Sequence, residues 1–192
     1  QDLSTEVARA KAAKPDIICP ITRPASATLL LRELAKQRVE LLGVISPGAP
    51  GLYEKGQIDA LGKLIEYTLD NVPWVNPART RKIAEEYARR SGGKIFDTNS
   101  GYSYEAILII ADVLERARSV DPDAIVEAIR TTNMRDPIMV AAGPVRFNEV
   151  GDNANASTAM IQILGQRPLI VHPKESAEAK LVFPAPKFWE RG

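Results

Sequence analysis

The sequence carries one thiol and one imidazole, Cys19 and His172, the side-chain types that most often supply a nucleophile and its base. Neither sits in a catalytic pattern. Cys19 lies in the apolar run Asp16-Ile17-Ile18-Cys19-Pro20 and reads as a small core hydrophobe. His172 stands between Val171 and Pro173 without the paired groups a proton-transfer site requires, so a structural or solvent-facing role is expected. A single cysteine also excludes an intrachain disulfide and a cysteine-based metal site. No catalytic residue, no metal and no cofactor is expected.

Binding chemistry is better represented. Gly43 to Gly51, GVISPGAPG, invites comparison with a phosphate loop but lacks both the terminal Gly-Lys-Ser/Thr and the G-x-G-x-x-G spacing. What remains is a loop at the carboxyl end of a strand, the place where open α/β sheets bind ligands. Thr22-Arg23-Pro24 holds the equivalent place after the preceding strand. Thr22, Arg23, Ser46, Pro47 and Gly48 together could floor a small-molecule site; the alternative is two ordinary strand-to-helix turns. Glu85 and Glu86, interleaved with Arg79, Arg81, Lys82, Arg89 and Arg90, read as a solvated helix face with i,i+4 pairing. Asn155-Ala156-Ser157 matches a glycosylation acceptor, a pattern too short to carry weight.

These residues need elements to position them. A helix from Ser4 or Thr5 to about Ala13, a strand Asp16–Cys19, a helix Pro24–Arg38 with Leu30, Leu31 and Leu34 as its apolar stripe, and a strand Leu41–Ile45 form a parallel βαβ unit. A short helix before Gly62 and a strand Lys63–Leu69 follow, and Asp70 to Val75 is expected to cross between domains. Asn76-Pro77 opens a helix that ends at Gly92-Gly93, and Asp121-Pro122 opens another to about Thr131. Between them Ser103–Arg118 is the most apolar helix, with Tyr104, Ile107, Leu108, Ala111 and Leu114 on one face and burial expected on most sides. Strands are expected at Ile138–Val140, Val145–Phe147, Thr158–Leu164 and Leu169–Val171, the last two as a hairpin. Apolar helices over 76–131 without strands of their own imply that a covering sheet is encoded elsewhere.

Composition sets the outer limits. With 45% hydrophobic and 26% charged residues, the chain of 192 residues has a globular composition. Lys+Arg 25 against Asp+Glu 24 leaves no field that would favour nucleic acid. Apolar runs such as Ala106–Ala111 are far too short to span a bilayer. The amino terminus lacks a signal-peptide pattern and runs straight into a helix, so the sequence reads as beginning inside a larger fold.

The stretch Gly143–Thr158, GPVRFNEVGDNANAST, leads from a Gly-Pro and a short extended run through a turn into an apolar strand. With LLREL and VISPG (Leu30–Leu34, Val44–Gly48) and SYEAILIIADVLERA (Ser103–Ala117), it resembles, in order and spacing, the carboxyl-terminal half of the periplasmic substrate-binding proteins of branched-chain amino-acid type ABC importers. The resemblance implies an α/β, type I periplasmic-binding-protein fold of two Rossmann-like lobes joined by three crossovers, present here as its second half. Residues 1–72 would belong to the second lobe, 76–150 to helices of the first, and 151–192 to the return and a carboxyl-terminal tail. It implies ligand contacts from Thr22, Arg23, Ser46, Pro47 and Gly48, with the tyrosines that open the long helix, Tyr102 and Tyr104, toward the cleft. The implied function is capture of a small carboxylate or amino acid, in the periplasm after removal of a signal peptide, and delivery to a permease in the inner membrane; a ligand-sensing domain of the same fold and an α/β enzyme are the alternatives. Amino-acid binders of the family often carry a Glu in the loop that is Ser46-Pro47-Gly48 here. Its absence, with Arg23 able to grip a carboxylate bidentately, favours a small carboxylate, aromatic ones included, as ligand, with a standard α-amino acid as second choice. Other implied partners are the amino-terminal half of the same protein and, where the helices lack that cover, a homodimer or swapped dimer.

Overall fold

Short apolar runs separated by amphipathic helices give the first part of the chain its layered order. A computed structural model describes residues 2–48 and 51–191. Ala49 and Pro50 of the Gly- and Pro-rich loop lie outside the described residues, as do Gln1 and Gly192. The elements are α1 (Ser4–Ala12), β1 (Ile17–Ile18), α2 (Pro24–Lys36), β2 (Gly43–Ser46), α3 (Lys55–Leu61), β3 (Leu69–Val72), α4 (Pro77–Arg90), α5 (Thr98–Ala117), α6 (Pro122–Arg130), β4 (Ala159–Leu164) and β5 (Arg167–His172). The chain divides into two compact units, residues 1–72 with 159–192, and residues 73–158.

Among the described residues of the first unit the strands form one five-stranded sheet in the order β1-β2-β3-β4-β5. β1, β2 and β3 run parallel, while β4 is antiparallel to β3 and β5 to β4. Helix α2 begins at Pro24, a ring already set for a first helical turn, and buries Ala27, Leu31 and Leu34 at helical spacing. Val44, Ile65, Val72, Ile161, Ile163 and Ile170 are among the other side chains of the core. The tail is pinned to the sheet by Gln162, a fully buried amide whose polar atoms are all used. Its Nε2 donates to the carbonyls of Tyr67 and Val182, and its Oε1 accepts from the Val182 N–H. Arg191 lies against the Phe188 ring, 4.0 Å from its centre, and donates to the Leu64 carbonyl; burial lowers its pKa to about 10.

The second unit is held by caps and by close approach. Asn76 and Asp121 accept N–H bonds at the starts of α4 and α6, as their Asn-Pro and Asp-Pro spellings predict. Asp97 caps α5 by accepting from Ser100, so the helix begins at Thr98, a turn earlier than the apolar pattern suggests. One side of α5 packs on a ribbon in which Val75 bridges Met139. Glu105 is buried there, its Oε1 accepting from the N–H groups of Ile138 (2.7 Å) and Met139 (3.1 Å). Gly101, one turn earlier, has no room for a methyl group: a Cβ would lie 2.4 Å from Val75 Cγ1 and 2.7 Å from Met139 Sδ.

Several expectations need correction. Residues 63–69 are not a strand; a 3₁₀ turn spans Gly62–Ile65, Tyr67 takes a positive φ, and the strand is β3, which takes in Asp70, Asn71 and Val72. Ile138–Val140 and Val145–Phe147 form only isolated bridges, to Val75, Met134 and Asn153, because no continuous partner strand lies beside them among the described residues. Cys19 is exposed and not in the core, since β1 is two residues long and stands at the sheet edge. The burial expected around α5 is also absent. Gly101, Glu105 and Val113 are its buried residues, whereas Ile107 is 64% exposed, Ile110 51% and Leu114 42%.

Candidate functional site

The parallel pairing of β1 with β2 brings their carboxyl ends to the same edge of the sheet, and with them Thr22-Arg23 and Ser46-Pro47-Gly48. Arg23 occupies the N-cap position of α2 with extended backbone; its side chain is exposed and makes no hydrogen bond or ion pair with another described residue. Thr22 beside it is half-buried, Ser46 is buried at the end of β2, and Pro47 and Gly48 are exposed. The two turns touch through Gly51. At a φ of +140° its backbone approaches so closely that a Cβ would stand 3.2 Å from the Arg23 carbonyl carbon and 3.0 Å from Ala27 Cβ. Thr22, Arg23, Pro47 and Gly48 therefore lie on neighbouring turns, and Ser46 closes β2 beneath them.

A residue the loops themselves could not reveal stands behind them. Asp70, on β3, is the register partner of Ser46 and is 2% exposed. Its Oδ1 accepts from the Gly48 N–H at 3.0 Å, and the Ser46 hydroxyl and the Asn71 N–H also bond to the carboxylate. Burial dominates over these bonds and pushes its pKa up to about 7. The loop is thus not remote from an acid, as its own sequence suggests. The acid comes from the next strand, with its carboxyl turned into the protein and spent on the loop backbone. The available signal was an acid between Leu69 and Val72 in an apolar setting, but only the register places it beside Ser46.

Tyr102 and Tyr104 belong to the second unit and stand on the first turns of α5, each partly exposed. Two residues of α-helix turn the side chain by about 200°, so the pair points in nearly opposite directions and cannot line one wall together. Tyr104 meets Phe96 edge-on with ring centres 6.1 Å apart, and Phe96 meets Tyr87 in the same way at 5.4 Å. Partial burial and the nearby Glu105 carboxylate raise the Tyr102 pKa, which keeps its phenol protonated. Cys19 and His172 are both exposed and join neither set. Among the described residues no group of three or more His, Cys, Asp or Glu is placed to hold a metal ion, and no helix is long and apolar enough to cross a membrane.

Strand-end turns at one edge of a parallel sheet are where open α/β folds meet small molecules, and the sequence places this sheet in a family: residues 1–166 match the periplasmic binding protein family, to which the chain belongs. The solved structures it resembles include a leucine-binding protein from Thermotoga maritima, at 21% identity and a TM-score of 0.69 over 88% of this chain and 47% of that one. Others are a putative branched-chain amino-acid ABC transporter protein from Silicibacter pomeroyi (16%, 0.74, 96% and 51%) and a solute-binding protein of an ABC transporter from Rhodopseudomonas palustris in complex with 3,4-dihydroxybenzoic acid (14%, 0.67, 87% and 46%). The chain spans about half the length of these structures. At such identities the likeness is one of fold, here the type I periplasmic-binding-protein fold. No curated protein matches the sequence.

Proposed function

We propose that this chain forms the second lobe and part of the first of a periplasmic solute-binding protein. In this reading a small carboxylate is held at the strand-end turns and delivered to an ABC permease in the inner membrane. The observation that carries the reading is Arg23, an exposed guanidinium without a side-chain hydrogen bond or ion pair among the described residues, on a turn that Gly51 approaches closely. A planar fork of donors left free beside a loop at a sheet's carboxyl edge suits bidentate capture of a carboxylate. Thr22 adds a hydroxyl at the same edge, and Ser46, its own hydroxyl engaged by Asp70, shapes the loop beside it. A standard α-amino acid is the second choice of ligand. A site without a redox, metal or nucleophilic centre among these residues favours capture over turnover.

The exposed apolar side of α5 supports the rest of the reading. Ile107, Ala111 and Leu114 lie on one face, with Ile110 beside them, opposite the Gly101–Glu105 side that packs on the Val75–Met139 ribbon. Contiguous apolar surface of this kind is usually covered. In this proposal β-structure of the same protein's first lobe covers it; a second copy of the chain would do so only in its absence. Residues 1–72 and the return strands then belong to the second lobe, and α4, α5 and α6 to the first.

Titration calorimetry on the full protein tests the ligand class, with 3,4-dihydroxybenzoate, benzoate, short aliphatic acids, leucine and valine as the panel. The expected result is binding of at least one acid that lacks an ammonium group, lost in Arg23→Gln. Micromolar binding of leucine or valine with no binding of the acids would overturn the carboxylate assignment, and turnover of any bound compound would overturn the receptor assignment.

A further inference from the structure

We propose that Asp70 is the positioning residue of the ligand-edge loop, its buried carboxyl fixing Ser46 and Gly48 in the shape that meets the solute. The inference rests on the solute-binding reading above, but it is carried by observations that do not depend on it. Asp70 sits in a strand position between Leu69 and Val72, both buried, where an apolar side chain would fill the space without desolvating a charge. Its Oδ2 is buried and has no hydrogen-bond partner among the described residues, so the bonds to Oδ1 offset its burial only in part. The side chain is nonetheless aimed at the loop, with Oδ1 3.0 Å from the Gly48 nitrogen and the Ser46 hydroxyl bonded to the same carboxylate.

The loop is shaped to accept this hold. Gly48 has a φ of +97°, and a Cβ there would stand 2.9 Å from the Asn71 carbonyl oxygen, so the loop lies directly on the β3 backbone. Farther along the same loop, a Cβ at Gly51 would stand 3.2 Å from the Arg23 carbonyl carbon. Asp70 touches no solute itself; it acts through Gly48 and Ser46. The groups that face it are the Ser46 hydroxyl from β2, the N–H groups of Gly48 and Asn71, and the apolar register partner Ile161 from β4. No charged group contributes to its titration.

The experiment uses the full protein and reads the Gly48 amide by NMR in wild type, Asp70→Asn, Asp70→Ala and the milder Ser46→Ala. The wild-type amide should exchange slowly, and its proton shift should titrate with a midpoint near neutral pH. Exchange should quicken at least tenfold in Asp70→Ala and less in Asp70→Asn, and the titration should vanish in both. Ser46→Ala, which leaves the carboxyl in place, should keep the titration. Calorimetry with leucine and with 3,4-dihydroxybenzoate should then show at least tenfold weaker binding in Asp70→Ala, partly restored in Asp70→Asn. An unchanged Gly48 amide in folded Asp70→Asn would overturn the proposal, as would a freed Gly48 amide with unaltered affinity. If neither probe binds the wild type, the solute reading fails, while the Gly48 amide still decides whether Asp70 holds the loop.

Discussion

The two units bury their helices by different means. In the first, α2 meets a sheet made by the same unit, and Leu31 and Leu34 are fully buried at the spacing the sequence shows. In the second, α5 is twenty residues long and carries five isoleucine and leucine residues, yet its buried residues are Gly101, Glu105 and Val113. Apolar content alone therefore does not decide burial. A helix is buried where a sheet is supplied to it, and a glycine that lets backbone approach can matter more to packing than several leucines. The contrast is measurable, and each prediction below is designed to break it or to sharpen it.

The largest effect belongs to the first unit. Leu31→Ala removes a side chain with 0% exposure between α2 and the sheet and should destabilise that unit by about 2–5 kcal/mol, read as a fall in the denaturation midpoint. A cost below about 1 kcal/mol would mean that the sheet face of α2 is no better packed than the free face of α5, and the comparison would collapse.

Next comes the buried acid of the same sheet. Asp70 has its pKa raised from an ordinary 3.8 to about 7, because burial disfavours the carboxylate. The folded state therefore holds the proton more tightly than the unfolded chain. The resulting stabilisation is fully present below the ordinary value and is lost as pH rises through about 7. Over that window it amounts to at most about 4 kcal/mol. Denaturation curves at pH 5 and pH 8 should differ in this direction for the wild type, and Asp70→Asn should remove most of the difference. A wild type that is more stable at pH 8, with a slope untouched by the substitution, would show that Asp70 is charged and paired when folded.

Much of this architecture could be read directly from residue order. Pro24, Asn76-Pro77 and Asp121-Pro122 announce helix starts, and the apolar runs around Ile17 and Val44 announce parallel strands, because capping and periodicity act within a few residues. The loop residues Thr22, Arg23, Ser46, Pro47 and Gly48 were legible because they follow strands of a βαβ unit. Asp70 was not, since its partnership with Ser46 exists only once the β2–β3 register is set. Alternating residues in Lys63–Leu69 imitated a strand that Gly62 and Tyr67, both at positive φ, do not allow. Cys19 was misplaced because composition cannot tell an edge strand from a central one. The separation of Tyr102 from Tyr104 needed only helical geometry, which their shared position at a helix start concealed.

The second unit supplies the two smaller effects. Gly101→Ala puts a methyl group where Val75 Cγ1 and Met139 Sδ already stand, and should cost about 1–3 kcal/mol, although alanine is the better helix former. A stabilised variant would mean that the ribbon yields, and that α5 is held no more closely on its packed side than on its free one.

The smallest effect is the most telling about α5. Ile107→Lys replaces the most exposed large hydrophobic residue of the helix, 64% accessible, and in this 192-residue chain should change stability by no more than about 0.5 kcal/mol while lowering any self-association seen by light scattering. In a protein whose first-lobe sheet covers that face, the same lysine would be driven into an apolar contact and should cost several times more. The difference between the two measurements therefore reports cover directly. A cost that is small in both settings would leave α5 as a solvent-facing helix and remove the argument that its apolar side belongs to a lobe; a cost that is large already in this chain would show that a second copy provides the cover.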